Sequence, residues 1–350
     1  MLALIFLLSA LLSPAMAETQ PDHRGRLDEY RPVRPVPTSR LEGSAPAILP
    51  DLVGRWVAGF TALQHRVTVR VPPPYEPPQG ALSSRLTAFL TGRLDFAFLS
   101  RSIATSDVAA FRRSHGYDPL VIPVANGSWN RFGFVDPVAI VVNVSNPVRG
   151  LSFAQIDALL SRSRRRGYAP IRRWGDVGVR AWRASPVHIV GADSWTKEDS
   201  ARAAVVRERI LLGGAWRQDL AGSGSEADVP SRVAADRLAI GFTGLGHLVP
   251  GVRAVAISAG KTGEFVDPTY AAVAGGRYPL ARTIDLVVAR PPGRCLKPEL
   301  REFIRFMLSR EGQQAVIDQG AFLPLRAAQA RLSWRRASTC GDPEARGRGP

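Results

Sequence analysis

Anion binding is the first chemistry that the side chains raise, and it is concentrated in Gln79 to Arg101, QGALSSRLTAFLTGRLDFAFLSR. Ser83 or Ser84 can cap a short helix whose apolar residues Leu86, Phe89 and Leu90 fall at helical spacing, with Gly92 where a helix C-terminus favours a left-handed residue. Leu94 to Leu99 then reads as a short buried strand around Asp95, ending in the polar pair Ser100-Arg101. A hydroxyl-capped helix start and a Ser-Arg at the carboxyl end of a strand both offer donors to an anion. The same residues also fit a plainer reading of a capped helix, a turn and a salt-bridging arginine, since caps are common and binding sites few per protein.

Other chemistry is not supported by motif. His23, His65, His115, His188 and His247 have no metal-ligand spacing and form no H-E-x-x-H. There is no G-x-S-x-G nucleophile elbow and no G-x-x-x-x-G-K-[ST] phosphate loop. Gly244-x-Gly246 in GFTGLGHLVPG suggests a dinucleotide fingerprint, but Val249 stands where its third glycine belongs, so a glycine-rich turn after a strand is the better reading. An enzyme is not expected, and neither is a cofactor. The net charge of +16 invites a nucleic-acid partner. The arginines, however, are scattered through the chain, the lysines are only Lys197, Lys261 and Lys297, and no DNA- or RNA-binding motif accompanies them. The run Ser161 to Gly167, SRSRRRG, reads as an exposed loop, with a nucleic-acid patch as the sharper alternative.

The elements that must position such a site alternate between helix and strand. Leu49, Leu52, Val53, Trp56, Val57 and Phe60 make one apolar helical stripe, with Pro50 in the first turn. Short strands are expected at Val67 to Val71, Val121 to Val124, Val138 to Val142, Val187 to Val190, Leu238 to Phe242 and Ile284 to Ala289. Ser152 with Gln155 forms a capping box, and helices are expected over roughly 200–212, from Pro298 to Met307 and through Gln313 to Ile317. This alternation argues for an α/β protein with mainly parallel sheets. At 350 residues there is length for two domains. Met1 to Ala17 reads as a secretory signal peptide cleaved before Glu18, residues 18–40 as a solvated Pro- and charge-rich leader, and residues 329–350 as a polar, poorly ordered tail. In an oxidising compartment Cys295 and Cys340 can pair, with two free thiols as the alternative.

Several segments, in order, resemble the periplasmic phosphate-binding proteins that deliver phosphate to an ABC transporter. They are Gly43-Ser44, the Ser83-Ser84 helix start, DFAFLSR from Asp95, Val135 to Ser161, Trp174-Gly175, Val233 to Gly246, GGRYPLAR from Gly275 to Arg282, and Phe303 to Leu325. The resemblance implies a type II periplasmic-binding-protein fold, with a first lobe of residues 41–135 and 247–328 and a second of 136–246. Each lobe would be a mainly parallel sheet flanked by helices, hinged around an oxyanion. It further implies a periplasmic monomer that binds phosphate or a related oxyanion and works with an inner-membrane permease. Ser44, Ser83, Ser84, Ser100 and Arg101 lie where the family contacts its ligand. In the second lobe, where relatives carry an arginine and then Ser-Gly-Thr at a helix start, this chain aligns Ala192 and Thr196-Lys197-Glu198. Ser194, Thr196 and Lys197 are therefore the second-lobe candidates. Asp193 and Glu198 would oppose an anion, so the alternative is a bilobal scaffold that has lost tight phosphate binding.

Overall fold

The computed structural model describes residues 27–32, 36–72, 84–197, 200–220, 224–260 and 263–340. The expected signal peptide, the start of the leader at Glu18, Ser83, the side chain of Ser84 and Glu198 lie outside them. The strands are β1 (Ser39–Ser44), β2 (Val67–Arg70), β3 (Phe96–Leu99), β4 (Leu120–Asn126), β5 (Val138–Asn143), β6 (Gly150–Ser152), β7 (His188–Ile189), β8 (Ala239–Gly244), β9 (Val252–Ala254), β10 (Ala256–Ser258) and β11 (Thr283–Val288). They form a five-stranded sheet in the order β2-β1-β3-β11-β4, a four-stranded sheet β7-β8-β5-β9 and a small β10-β6 pair.

Two large apolar cores account for this division. Trp56, Phe60, Phe96, Phe98, Phe303 and Phe306 belong to one, and Trp174, Trp195 and Phe242, with the buried strand Val138 to Val142, to the other. The chain therefore has two lobes of helix-flanked sheet. The helix Pro50–Leu63 turns Leu52, Val53, Trp56 and Phe60 inward as its period requires, and Pro298–Met307 does the same with Leu300, Phe303, Ile304 and Met307. The capping box closes as expected, with Gln155 N–H donating to Ser152 Oγ at 3.2 Å and Ser152 N–H to Gln155 Oε1 at 2.8 Å.

Pairing within the sheets is mixed, where mainly parallel pairing was expected. β1 runs parallel to β2 and β3, but β11 lies antiparallel between β3 and β4, and β8 and β9 run antiparallel to β5. The cause is the path of the chain, which leaves the first lobe after β4 and re-enters by β11 at the same sheet edge, so the returning strand must run the other way. Residues Val252 to Leu280 contribute to the second core, and Ile284 is the next to contribute to the first. We propose that the return crossing lies at Ala281-Arg282 and not at His247.

The leader and the tail are more structured than their composition suggests. Tyr30 is buried edge-on against Phe306, its hydroxyl donates to Glu302 Oε2 at 2.8 Å, and Gln64 Nε2 donates to it at 3.0 Å. One aromatic anchor thus holds a segment that reads as solvated by average polarity. The tail contains the helix Ala327–Ser338, which buries Ala327, Ala330, Ser333 and Ala337. That apolar face is built of small residues between arginines, which hides it from a hydropathy reading. The helix ends beside the disulfide between Cys295 and Cys340, so the pairing alternative is the one realised.

Candidate functional site

In α/β sheets, ligands sit beyond the carboxyl ends of strands where strand order reverses. The order β2-β1-β3 places that reversal between β1 and β3, which end at Ser44 and Leu99, with Ser44 opposite Ala97 in the register. Ser44 is buried there. Ser100 and Arg101 follow β3 directly, and Asp285 of β11 pairs with Leu99, so the first residues of β11 lie at this edge too. Asp95 stands at the opposite end of β3, holding Lys297 Nζ at 2.7 Å and accepting from Glu42 N–H at 2.9 Å. It is a brace outside this edge.

Arg101 is already engaged. Its Nη1 lies 2.7 Å from Asp107 Oδ2 and donates to the Ser102 carbonyl at 2.9 Å, and the Asp107 side chain is only 3% exposed. Asp107 also accepts from Ala104 N–H at 3.0 Å in the first turn of the helix Thr105–His115, so the arginine side chain is tied to a fixed carboxylate.

Where the two cores adjoin, four charged residues come together that were not among the expected site residues. Arg282 Nη2 donates to the Ser100 carbonyl at 2.9 Å, and its Nη1 to the Asp136 carbonyl at 3.4 Å. Asp136, with a fully buried side chain, holds Arg202 Nη2 through Oδ1 at 3.1 Å and accepts from Gly246 N–H through Oδ2 at 3.1 Å. Arg202 Nη1 reaches Glu226 Oε1 at 3.3 Å, and Ser194 Oγ donates to Glu226 Oε2 at 3.4 Å. The face of Phe132 lies 4.4 Å from the Arg202 guanidinium, a cation–π contact that orients it. Burial, with the nearby Arg202 charge adding to it, pushes the Arg282 guanidinium down to about 10. Gly244-x-Gly246 is explained here. A Cβ on Gly244 would sit 2.1 Å from Asp136 Oδ2 and 2.8 Å from Arg202 Nε, and one on Gly246 would sit 2.3 Å from Phe132 N. These glycines let backbone approach the ion pair, and the only sequence signals for the group were these glycines, Asp136 before a buried strand, and the YPLAR segment.

The second-lobe candidates separate. Ser194 joins the network through Glu226, whereas Thr196 spends its hydroxyl on the Asp193 carbonyl of its own turn at 3.1 Å. Lys197 has a side chain 66% exposed and 3.9 Å from Asp193, among solvent rather than at the hinge. Ala192 is buried and brings no charge. The helix starts near Ser200, as its sequence pattern indicates, beyond the Thr196-Lys197-Glu198 that the resemblance aligns with a helix start. Asp193–Thr196 is a separate single turn, pinned by Trp195 stacked on Phe242 at 3.6 Å, and the following helix begins at Ser200, whose Oγ accepts from Ala203 N–H at 3.1 Å. Ser200-Ala201-Arg202 therefore occupy the helix start. Among the described residues no group of histidine, cysteine and carboxylate side chains is arranged to hold a metal, and no helix is long and apolar enough to cross a membrane.

Comparison with known proteins agrees with this architecture. The family model described as the PBP superfamily domain matches residues 82–311, most of the chain. The chain belongs to the PBP superfamily. Among relatives of this PBP chain, the phosphate-binding protein PstS of Pseudomonas aeruginosa is 29% identical over 307 residues, covering 87% of this chain and 88% of that protein. Protein SphX of Synechococcus elongatus is 28% identical over 245 residues, covering 68% of this chain and 65% of that one. Of solved structures, PstS from Borrelia burgdorferi superposes with a TM-score of 0.53 at 15% identity, covering 82% of this chain and 99% of that one, a likeness of fold.

Proposed function

We propose that the chain is an exported solute-binding receptor that captures phosphate or a related tetrahedral oxyanion between its lobes and presents it to an inner-membrane ABC permease. The likeness to a phosphate-binding PstS supports the ligand class, and Met1 to Ala17, read as a signal peptide, supports delivery to the periplasm. The observation that carries the reading is the pair of guanidiniums, buried Arg282 and the 14% exposed side chain of Arg202, converging on Asp136 where the chain crosses between lobes. A buried cationic group beside strand ends is suited to charge-assisted hydrogen bonds with an oxyanion. Ser44 and Ser100 supply the first-lobe side of the site, and Ser194 the second. The protein acts as a monomer, without cofactor or catalytic step.

The two lobes meet through side-chain contacts at the hinge, so ligand binding shifts the population toward a closed form. Small-angle scattering of the full mature chain checks this. A smaller radius of gyration in saturating phosphate is expected. An unchanged curve for phosphate, arsenate and sulfate would favour the second reading, a bilobal scaffold, which draws its support from Arg101 and Arg202 each already facing protein carboxylates.

A further inference from the structure

We propose that Arg202 is the second-lobe group that takes up the ligand's negative charge, and that Glu226 holds its place when the site is free. This rests on the reading of the chain as an oxyanion receptor and names the residue that sets its affinity. The other second-lobe candidates do not offer a charge at the hinge: Ala192 is apolar, Thr196 is bonded within its own turn, and Lys197 points its ammonium at Asp193 on the surface. Arg202, by contrast, enters from the first turn of the helix Ala201–Arg209 and reaches the hinge carboxylate Asp136.

Two features show that its hydrogen bonding is incomplete. Among the described residues Arg202 Nε and Arg282 Nε, both buried, find no acceptor, and the Arg282 residue is 7% exposed. Buried donors of charged groups left without a partner are costly, so this network carries positive charge that its protein partners do not fully satisfy. The two carboxylates on Arg202 are not equivalent either. Asp136 is wholly buried and fixed by the Gly246 N–H, whereas the Glu226 side chain is 18% exposed and its contacts to Arg202 and Ser194 are long, 3.3 Å and 3.4 Å. Glu226 is therefore the carboxylate that an incoming oxyanion displaces. The oxyanion then receives the Nη1 edge of Arg202 and the Ser194 hydroxyl, while Asp136 keeps Nη2 and Phe132 keeps the guanidinium plane.

Titration calorimetry of the full mature chain with inorganic phosphate separates the outcomes. Glu226→Gln, which removes the competing charge but keeps the shape, should bind phosphate more tightly than the wild type. Arg202→Gln should bind on the order of 10- to 100-fold more weakly, from the loss of a charged hydrogen-bond pair, and Arg202→Lys should fall between. A residue that merely braced the hinge would weaken binding in both the Glu226 and the Arg202 variants, so the opposite signs are the diagnostic. Wild type that binds phosphate with all three variants unchanged would overturn the role of Arg202 and leave the receptor reading standing. No binding by wild type or by Glu226→Gln would overturn both. Binding that appears only in Glu226→Gln would support the proposal and show Glu226 as the block.

Discussion

Arg101 and Asp107 are locked together across the start of a helix, Nη1 to Oδ2 at 2.7 Å, with the carboxylate almost wholly buried. The arginine that in sequence stands out as an anion ligand therefore already has a partner, and its removal acts on the fold first. Taking away one member of a buried pair leaves the other charge uncompensated, a cost of about 3–5 kcal/mol, whereas replacing both by apolar residues costs much less.

Arg101→Leu is accordingly expected to lose more stability to urea than the double variant Arg101→Leu/Asp107→Leu. If the double variant were the less stable of the two, the Asp107 bond to Ala104 N–H would stabilise the helix start by more than the unpaired carboxylate costs.

Asp285, in the middle of β11, is the group whose titration should be visible in stability. Burial pushes its carboxyl up to about 6, against the hydrogen bond from Thr283 Oγ1 at 2.8 Å, which pulls the other way. The fold prefers the protonated form, so this contribution is whole below the ordinary carboxyl value of about 3.9 and is lost as pH rises through the folded value. At neutral pH the loss amounts to about 3 kcal/mol, at roughly 1.4 kcal/mol for each pH unit of displacement. Asp285→Asn should therefore raise the thermal midpoint at pH 8 and leave it nearly unchanged at pH 4. Equal effects at both pH values would mean that the asparagine acts through packing.

The Cys295–Cys340 bridge closes a loop with a sequence separation of 45, which in the chain-entropy picture stabilises by about 4 kcal/mol. It tethers the helix Ala327–Ser338, which buries alanines against the first lobe and holds Arg290 Nη1 through the Arg336 and Thr339 carbonyls at 2.7 Å and 2.6 Å. Cys340→Ser should lower the unfolding midpoint, and a reducing agent should bring the wild type down to the same value. A wild type insensitive to reduction would show that the helix holds without the bridge.

The α/β class, the apolar helix stripes, the Ser152-Gln155 box and the cysteine pair could be read from the sequence because each is a local pattern or a pairing of few candidates. The hinge network could not. Arg202 meets Asp136 across 66 positions and Glu226 across 24, and an arginine in the first turn of a helix looks like any solvated residue until the fold brings its partners together. Lys197 shows the opposite relation between sequence and fold. Its place in sequence is near the expected ligand position, but the single turn Asp193–Thr196 that precedes the helix leaves its side chain 66% exposed beside Asp193.

Equilibrium dialysis of the mature protein against labelled phosphate should show saturable binding at one site per chain, competed by arsenate. Phosphate that stays equally distributed across the membrane at every protein concentration would contradict the reading of the chain as an oxyanion receptor.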